Sequence, residues 1–253
     1  MKFVIFAVSL FASWSICAKQ PVAITESRSA PNFRSCPQFF AGATSPRVNK
    51  SFQITPRALC YQSFAVLYSG LSKTPVFVAE RLNRAQLEDA KDEKRTNRFF
   101  PDARLPSAER AQLEDYKGSG FDRGHMAPAG DMPNARAMAQ SFSLANMVPH
   151  APKNNQKSWN GIEQATRKYA MRAKGDVYVI SGPVYEGRPR MIGSSRVWVP
   201  KYLYKLVYDP ATGRAWAHWI ENTNEARASK PISYEELVRR TNIEFLPKAK
   251  VGR

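Results

Sequence analysis

Two runs of alternating or continuous apolar residues, Lys201–Tyr208 and Arg214–Ile220, flank the turn sequence Asp209-Pro-Ala-Thr-Gly213. Pro and Gly between two β-type runs make these strands a hairpin, which commits the fold to antiparallel pairing. Leu59–Ser69, Pro75–Leu82 and Asp176–Tyr185 read as further strands. Ser158–Ala173 reads as a helix, with Ile162, Ala165, Tyr169 and Ala173 at three- and four-residue steps on one apolar face. A short helix is expected from near Ser107. A last helix starts at Ser233, which forms a capping-box pattern with Glu236 ahead of Leu237-Val238. Glu88–Arg98 is strongly charged and reads as an exposed loop. Strands and helices mix without βαβ alternation, so the class is α+β, a central antiparallel sheet flanked by helices.

Of the 253 residues, 43% are hydrophobic and 11% aromatic, enough for a full core and too many for wholesale disorder. Phe3–Cys17 is almost wholly apolar after Met1-Lys2 and gives way to Lys19-Gln20, the pattern of a secretory signal peptide cut after Ala18. A retained anchor is the alternative. Residues 19–50, rich in Ser, Pro, Arg and Asn, read as an irregular lead-in, and 51–253 as a single domain without an internal linker. Export to a periplasm or beyond the cell implies an oxidising compartment. Cys36 and Cys60, left as a pair after cleavage, are then expected to bridge, contributing roughly 3 kcal/mol by constraining the unfolded chain. Two buried free thiols are the alternative.

Lys and Arg total 38 against 21 Asp and Glu, a net charge of +17. On a folded, exported chain this points to a polyanionic partner: nucleic acid, anionic lipid or acidic polysaccharide. The charge is spread through Arg81–Arg98, Lys153–Lys174 and Arg188–Lys201 rather than held in a tail. No second long apolar run exists, so a stable membrane partner is not expected.

Only three histidines are present. His218 alternates with Trp216 and Ile220 in a strand and reads as a sheet-face residue. His150 lies between Pro149 and Pro152. His125 lies in Gly120-Phe-Asp-Arg-Gly-His-Met-Ala-Pro-Ala-Gly-Asp131, where glycines, an acid, a cation and an imidazole are packed together. An imidazole can take a proton from water near neutral pH, and Arg123 can fork onto phosphate oxygens. A second group follows: Asn146, then Asn154-Asn155, then Glu163. Asparagine oxygen is a hard ligand suited to Mg²⁺. At about 100° per residue, Asn155 and Glu163 fall about 80° apart on one helix surface. An alternative reading has the asparagines merely capping that helix.

Taken in order, these motifs resemble the DNA/RNA non-specific endonuclease family of the ββα-metal superfamily, to which mitochondrial endonuclease G belongs. The resemblance runs from about Leu59 to Pro247. It includes Arg95-Thr-Asn97 with Phe99 and Asp102, the Tyr116–His125 run, Asn155 and Glu163, Ser181-Gly-Pro183 and Phe245-Leu-Pro247. It implies a ββα-metal nuclease fold and hydrolysis of phosphodiester bonds in DNA and RNA, giving 5′-phosphate ends. It further implies that His125 is the general base and that Asn155 is the direct ligand of one Mg²⁺, with Mn²⁺ as a substitute. Glu163 would hold the metal's waters, Arg123 and Arg95 would contact the phosphate, and Asn146 would support the site and touch substrate. Arg98 competes with Arg95 for its role. The resemblance leaves room for a homodimer. The rival from another class is a non-catalytic nucleic-acid-binding protein serving DNA uptake.

Overall fold

The computed structural model describes Met1 and residues 32–48 and 55–252. The proposed signal peptide, Met1 aside, lies outside the described residues. Along the chain run β1 (Arg47–Val48), β2 (Pro56–Cys60), β3 (Phe64–Ser69), β4 (Thr74–Leu82), α1 (Arg84–Asp89), α2 (Leu113–Tyr116), β5 (Asp122–His125), α3 (Ala135–Ser141) and β6 (Met147–His150). Then come α4 (Asn160–Ala170), β7 (Val177–Val184), β8 (Met191–Ile192), β9 (Val197–Trp198), β10 (Tyr202–Asp209), β11 (Arg214–Glu221), β12 (Ile232–Ser233), α5 (Tyr234–Thr241) and β13 (Ile243–Glu244). Seven strands form one antiparallel sheet in the order β12-β11-β10-β7-β4-β3-β2. This is the α+β class and central antiparallel sheet expected from the sequence, and the hairpin at Asp209–Gly213 joins β10 to β11.

The sheet is covered on both faces, which is why β3 is buried along its whole length. Phe64, Val66, Val78 and Leu203 pack on one face with Trp159 and Ile162, the side that carries α4. Their neighbours Ala65, Leu67, Phe77, Ala79 and Tyr204 pack on the other, with Leu237 of α5 and with Phe33, Phe39 and Phe40. Each large apolar side chain so enclosed contributes about 1.5–3 kcal/mol.

Several local expectations differ from the structure. Leu59–Ser69 is two strands: the chain turns at Tyr61–Ser63, closed by Tyr61 N–H donating to the Phe64 carbonyl at 2.9 Å. Glu88–Arg98 begins inside α1, capped by the Asn83 side chain, and is irregular only after Asp92. From Ser107 the chain makes a single tight 3₁₀ turn, and the helix proper is α2. The buried stripe of α4 is Ile162, Thr166 and Ala170, with Ala165 exposed. Thr166 can be buried because its hydroxyl donates to the Ile162 carbonyl at 2.9 Å. At α5 only half of the capping box forms: Ser233 Oγ accepts from Glu236 N–H, while the Glu236 carboxylate takes Arg239 and Arg240.

The described part of the lead-in is irregular, with 3₁₀ turns at Pro37–Phe39 and Ala41–Ala43, but it is packed. β1 pairs with β13, and Cys36 is disulfide-bonded to Cys60 at the end of β2. The expected bridge is therefore present.

Candidate active site

Two short strands and a helix build the site. β5 pairs antiparallel with β6, with Asp122 opposite His150 and His125 opposite Met147. The strands meet most closely at Gly124, where a Cβ would sit 2.5 Å from both Cβ and Nδ1 of His150. Any side chain there would force the pair apart. His150, whose role the sequence left open, is fully buried, edge-on to Trp159 at 5.8 Å. Burial pushes its pKa down to about 4, so it packs as a neutral ring. His218 lies on β11 opposite Lys205, on the sheet as expected.

His125 ends β5, held from three directions. Its carbonyl accepts from Trp159 Nε1 at 3.2 Å. The next residue, Met126, donates its N–H to the Asn146 carbonyl at 3.0 Å and accepts from Lys205 Nζ at 3.3 Å. Then Ala127 is locked by the Asn146 side chain: Oδ1 accepts its N–H at 2.9 Å and Nδ2 donates to its carbonyl at 2.8 Å. Nδ2 also donates to the Ser141 carbonyl at 2.9 Å. Asn146 is fully buried, and both its amide donors are used. It braces the turn after His125, and neither of its amide donors is free.

The His125 ring is 8% exposed, with Phe142 edge-on at 5.1 Å and Phe99 at 5.8 Å. Its Nε2 is buried without a partner. Burial, then the nearby Arg95 and Arg123 cations, push its pKa down to about 3. The imidazole is therefore neutral, in its proton-accepting form, throughout the physiological range.

A cleft of about 520 Å³ opens beside it, with Arg95, Phe99, Arg123 and Asn155 among its walls. Arg95 lies 5.0 Å over the Phe142 ring and Arg123 4.1 Å over Phe99. Arg98, the competitor, is exposed and does not line the cleft. Asn155 stands in a wide π-type turn, Asn154–Trp159, that leads into α4 where a plain helix start was expected at Ser158. Such a widened turn reorients side chains and is frequent at functional sites. Asn155 Nδ2 donates to Asp122 Oδ2 at 3.0 Å, as does Gln156 Nε2 at 2.9 Å. A carboxylate only accepts, so the amide nitrogen must face Asp122, and Asn155 Oδ1 points away from it.

Glu163, on the first turn of α4, is half-buried, and burial raises its pKa to about 7 against the opposing pull of Lys205. It is close enough to Arg95 for their charges to interact. Thus Arg95, Arg123 and Asn155 line one cleft, the charges of the two arginines act on His125, Glu163 acts on Arg95, and Asn146 holds the turn that follows His125. Among the described residues no three His, Cys, Asp or Glu side chains gather as a metal cage. The Asn155 amide oxygen and the Glu163 carboxylate are hard oxygen donors that fit Mg²⁺, which keeps most of its waters.

Motif spacing does not mark Asp122 as the group that orients Asn155. Nor does it mark the buried Lys205, bonded to Ser181 Oγ at 2.7 Å, or the pairing of Arg167 with buried Asp131 at 2.8 Å. A lone lysine inside the apolar run Tyr202–Asp209 was the available signal, because a buried cation needs partners. Lys91, Arg167, Lys168 and Arg172 line a second groove, where two of the charged stretches meet.

The model of the DNA/RNA non-specific endonuclease family matches residues 43–251. Mitochondrial nuclease EXOG of Xenopus laevis is 39% identical over 158 residues, covering 58% of this chain and 44% of that protein. Human mitochondrial endonuclease G is 31% identical, covering 60% and 54%. A nuclease of Nostoc sp. is 33% identical over 201 residues, covering 72% and 70%. The chain thus spans about half or less of the mitochondrial relatives' length. A solved structure of an EndoG/EndoGI complex superposes with a TM-score of 0.67 at 25% identity, covering 75% of this chain and 85% of that one. The expected resemblance is thereby met, and the chain belongs to the DNA/RNA non-specific endonuclease family.

Proposed function

We propose that the protein is an Mg²⁺-dependent endonuclease that hydrolyses phosphodiester bonds in DNA and RNA and leaves 5′-phosphate ends. One observation carries this reading: two arginines that line a cleft together with an oriented asparagine also act on a buried, neutral imidazole packed against the cleft residue Phe99. In it, His125 accepts the proton of a water aimed at phosphorus, and the water oxygen displaces the 3′ oxygen. Arg95 and Arg123 take the charge on the phosphoryl oxygens. Asn155 Oδ1 would hold an Mg²⁺ ion and the Glu163 carboxylate would support it, and the ion would supply charge neutralisation for the leaving oxygen. Mn²⁺ would meet the same donors. Asn146 acts by position, fixing the turn behind His125.

Substrate binding also tunes the base. The same two guanidinium charges that hold His125 down are offset when a phosphate arrives, so the imidazole gains basicity in the complex. The basic groove at Lys91, Lys168 and Arg172 supports sequence-independent capture of the polyanion. The Cys36–Cys60 bridge supports work in an oxidising, secreted or periplasmic setting, although several relatives are mitochondrial.

Incubation with plasmid DNA and with RNA, with Mg²⁺ and with chelator, tests the reading. Chelator-sensitive cleavage of both is expected. Binding without such cleavage would leave the DNA-uptake reading instead.

A further inference from the structure

The cleft does not end at its charged groups. It continues onto a wall formed by Leu113, Tyr116 and Phe121, with Glu114 and Lys117 at its rim. This wall is the outer side of a packed cluster. Tyr116 is buried with Ala111, Leu144, Met147, Ile192 and Val197, while Leu113 and Phe121 lean on them half-buried. Its position is fixed through α2. Asp115 is buried and accepts from Gln112 N–H at 2.7 Å and from Ser195 N–H at 2.9 Å. Gly193 lies so close that a Cβ there would meet the Asp115 carboxylate at 2.2 Å. The Arg190 guanidinium lies 5.0 Å over Phe121.

Holding a phosphate requires none of this apolar surface, because backbone contacts are made by cations and amides. A rigid aromatic and aliphatic wall beside phosphate-binding arginines suits the flat face of a base, and any base has such a face. A cleft of about 520 Å³ is also within the range that holds a small organic ligand. We propose that Leu113, Tyr116 and Phe121 form a subsite for one unstacked nucleobase adjoining the scissile phosphate. The inference rests on the nuclease reading above. It makes single strands and unpaired segments the better substrates, since a base in a regular duplex must first leave its stack. It remains tolerant of sequence.

The test alters the substrate rather than the protein. Wild-type protein with Mg²⁺ is given an end-labelled single-stranded oligonucleotide, intact or carrying one tetrahydrofuran abasic residue at its centre. Cleavage at one of the two phosphates flanking the abasic residue is expected to fall about 5- to 100-fold, with the other phosphates unchanged. In Phe121→Ala that contrast should flatten. Equal cutting of the flanking phosphates in the two wild-type reactions overturns the subsite and leaves the nuclease reading standing. No cleavage of the intact strand by protein that cuts plasmid DNA also overturns the subsite alone; no cleavage of either overturns both.

Discussion

Replacing Asn146 by alanine separates support of the site from contact with substrate. The substitution removes three hydrogen bonds and leaves the Ala127 N–H, the Ala127 carbonyl and the Ser141 carbonyl without partners in a fully buried place. Each orphaned group costs about 1–3 kcal/mol, and a water entering the vacated space recovers part of it. The expected loss is about 3–5 kcal/mol. For a domain of this size that lowers Tm by about 10 °C, measured by thermal unfolding in chelator so that metal binding does not contribute. The turn after His125 also loosens, and sub-ångström misplacement of a base is costly, so kcat should fall about 10- to 100-fold with KM changed less than about threefold. Asn146→Asp keeps the acceptor for Ala127 but turns a carboxylate oxygen toward two carbonyls. Burial raises that carboxyl's folded pKa above its unfolded value, so the variant should be closest to wild-type stability below about pH 4 and lose ground as pH rises. An unchanged Tm together with a raised KM would refute the supporting role and make Asn146 a substrate contact.

At saturating Mg²⁺, where the cation keeps Glu163 ionised, the low pKa of His125 predicts a flat kcat/KM on lowering the pH from 8 to below 6, because the free protein keeps its base form. On acidification kcat should begin to fall at a higher pH than kcat/KM does, since bound phosphate offsets Arg95 and Arg123 and raises the imidazole pKa in the complex; a kcat/KM acid limb at or above about 6.5 would contradict this. Asn155→Ala should raise the Mg²⁺ concentration for half-maximal cleavage at least about tenfold, and an unmoved titration midpoint would remove it as the ligand. The Cys36–Cys60 bridge spans 24 residues, so reduction should destabilise the wild type by about 3 kcal/mol and leave a Cys36→Ser, Cys60→Ser variant unaffected; identical Tm values with and without reductant would sink that estimate.

What could be read in the sequence was what local chemistry decides. The β10–β11 hairpin is announced by Asp209-Pro-Ala-Thr-Gly213, and the antiparallel class follows from it. His125 and Asn155 stand in short, dense motifs. The break at Tyr61 carries no Gly or Pro; it is set by distant partners, the Tyr61 hydroxyl donating to Asp102 at 2.5 Å. The true apolar face of α4 was hidden because Thr166 buries a hydroxyl satisfied within the helix. Phe33, Phe39 and Phe40 show no period, yet they cover one face of the sheet, because a sheet with two packed faces needs apolar cover wherever the chain can bring it. Arg95 and Arg98 differ only in where an irregular strap lies over Phe142, which no spacing encodes. Asn146 shows the same limit: its residue type was legible, while the direction of its amide depended on two backbone segments 5 and 19 residues away.

In the proposed chemistry His125 is the proton acceptor at a phosphate held by Arg95 and Arg123. Its most direct measurement is single-turnover cleavage of a DNA duplex with Mg²⁺ by His125→Ala, paired with binding of the same duplex in chelator. Cleavage slowed by about 10²- to 10⁴-fold with binding unchanged is the predicted result. Cleavage at the wild-type rate, with binding intact, would contradict it.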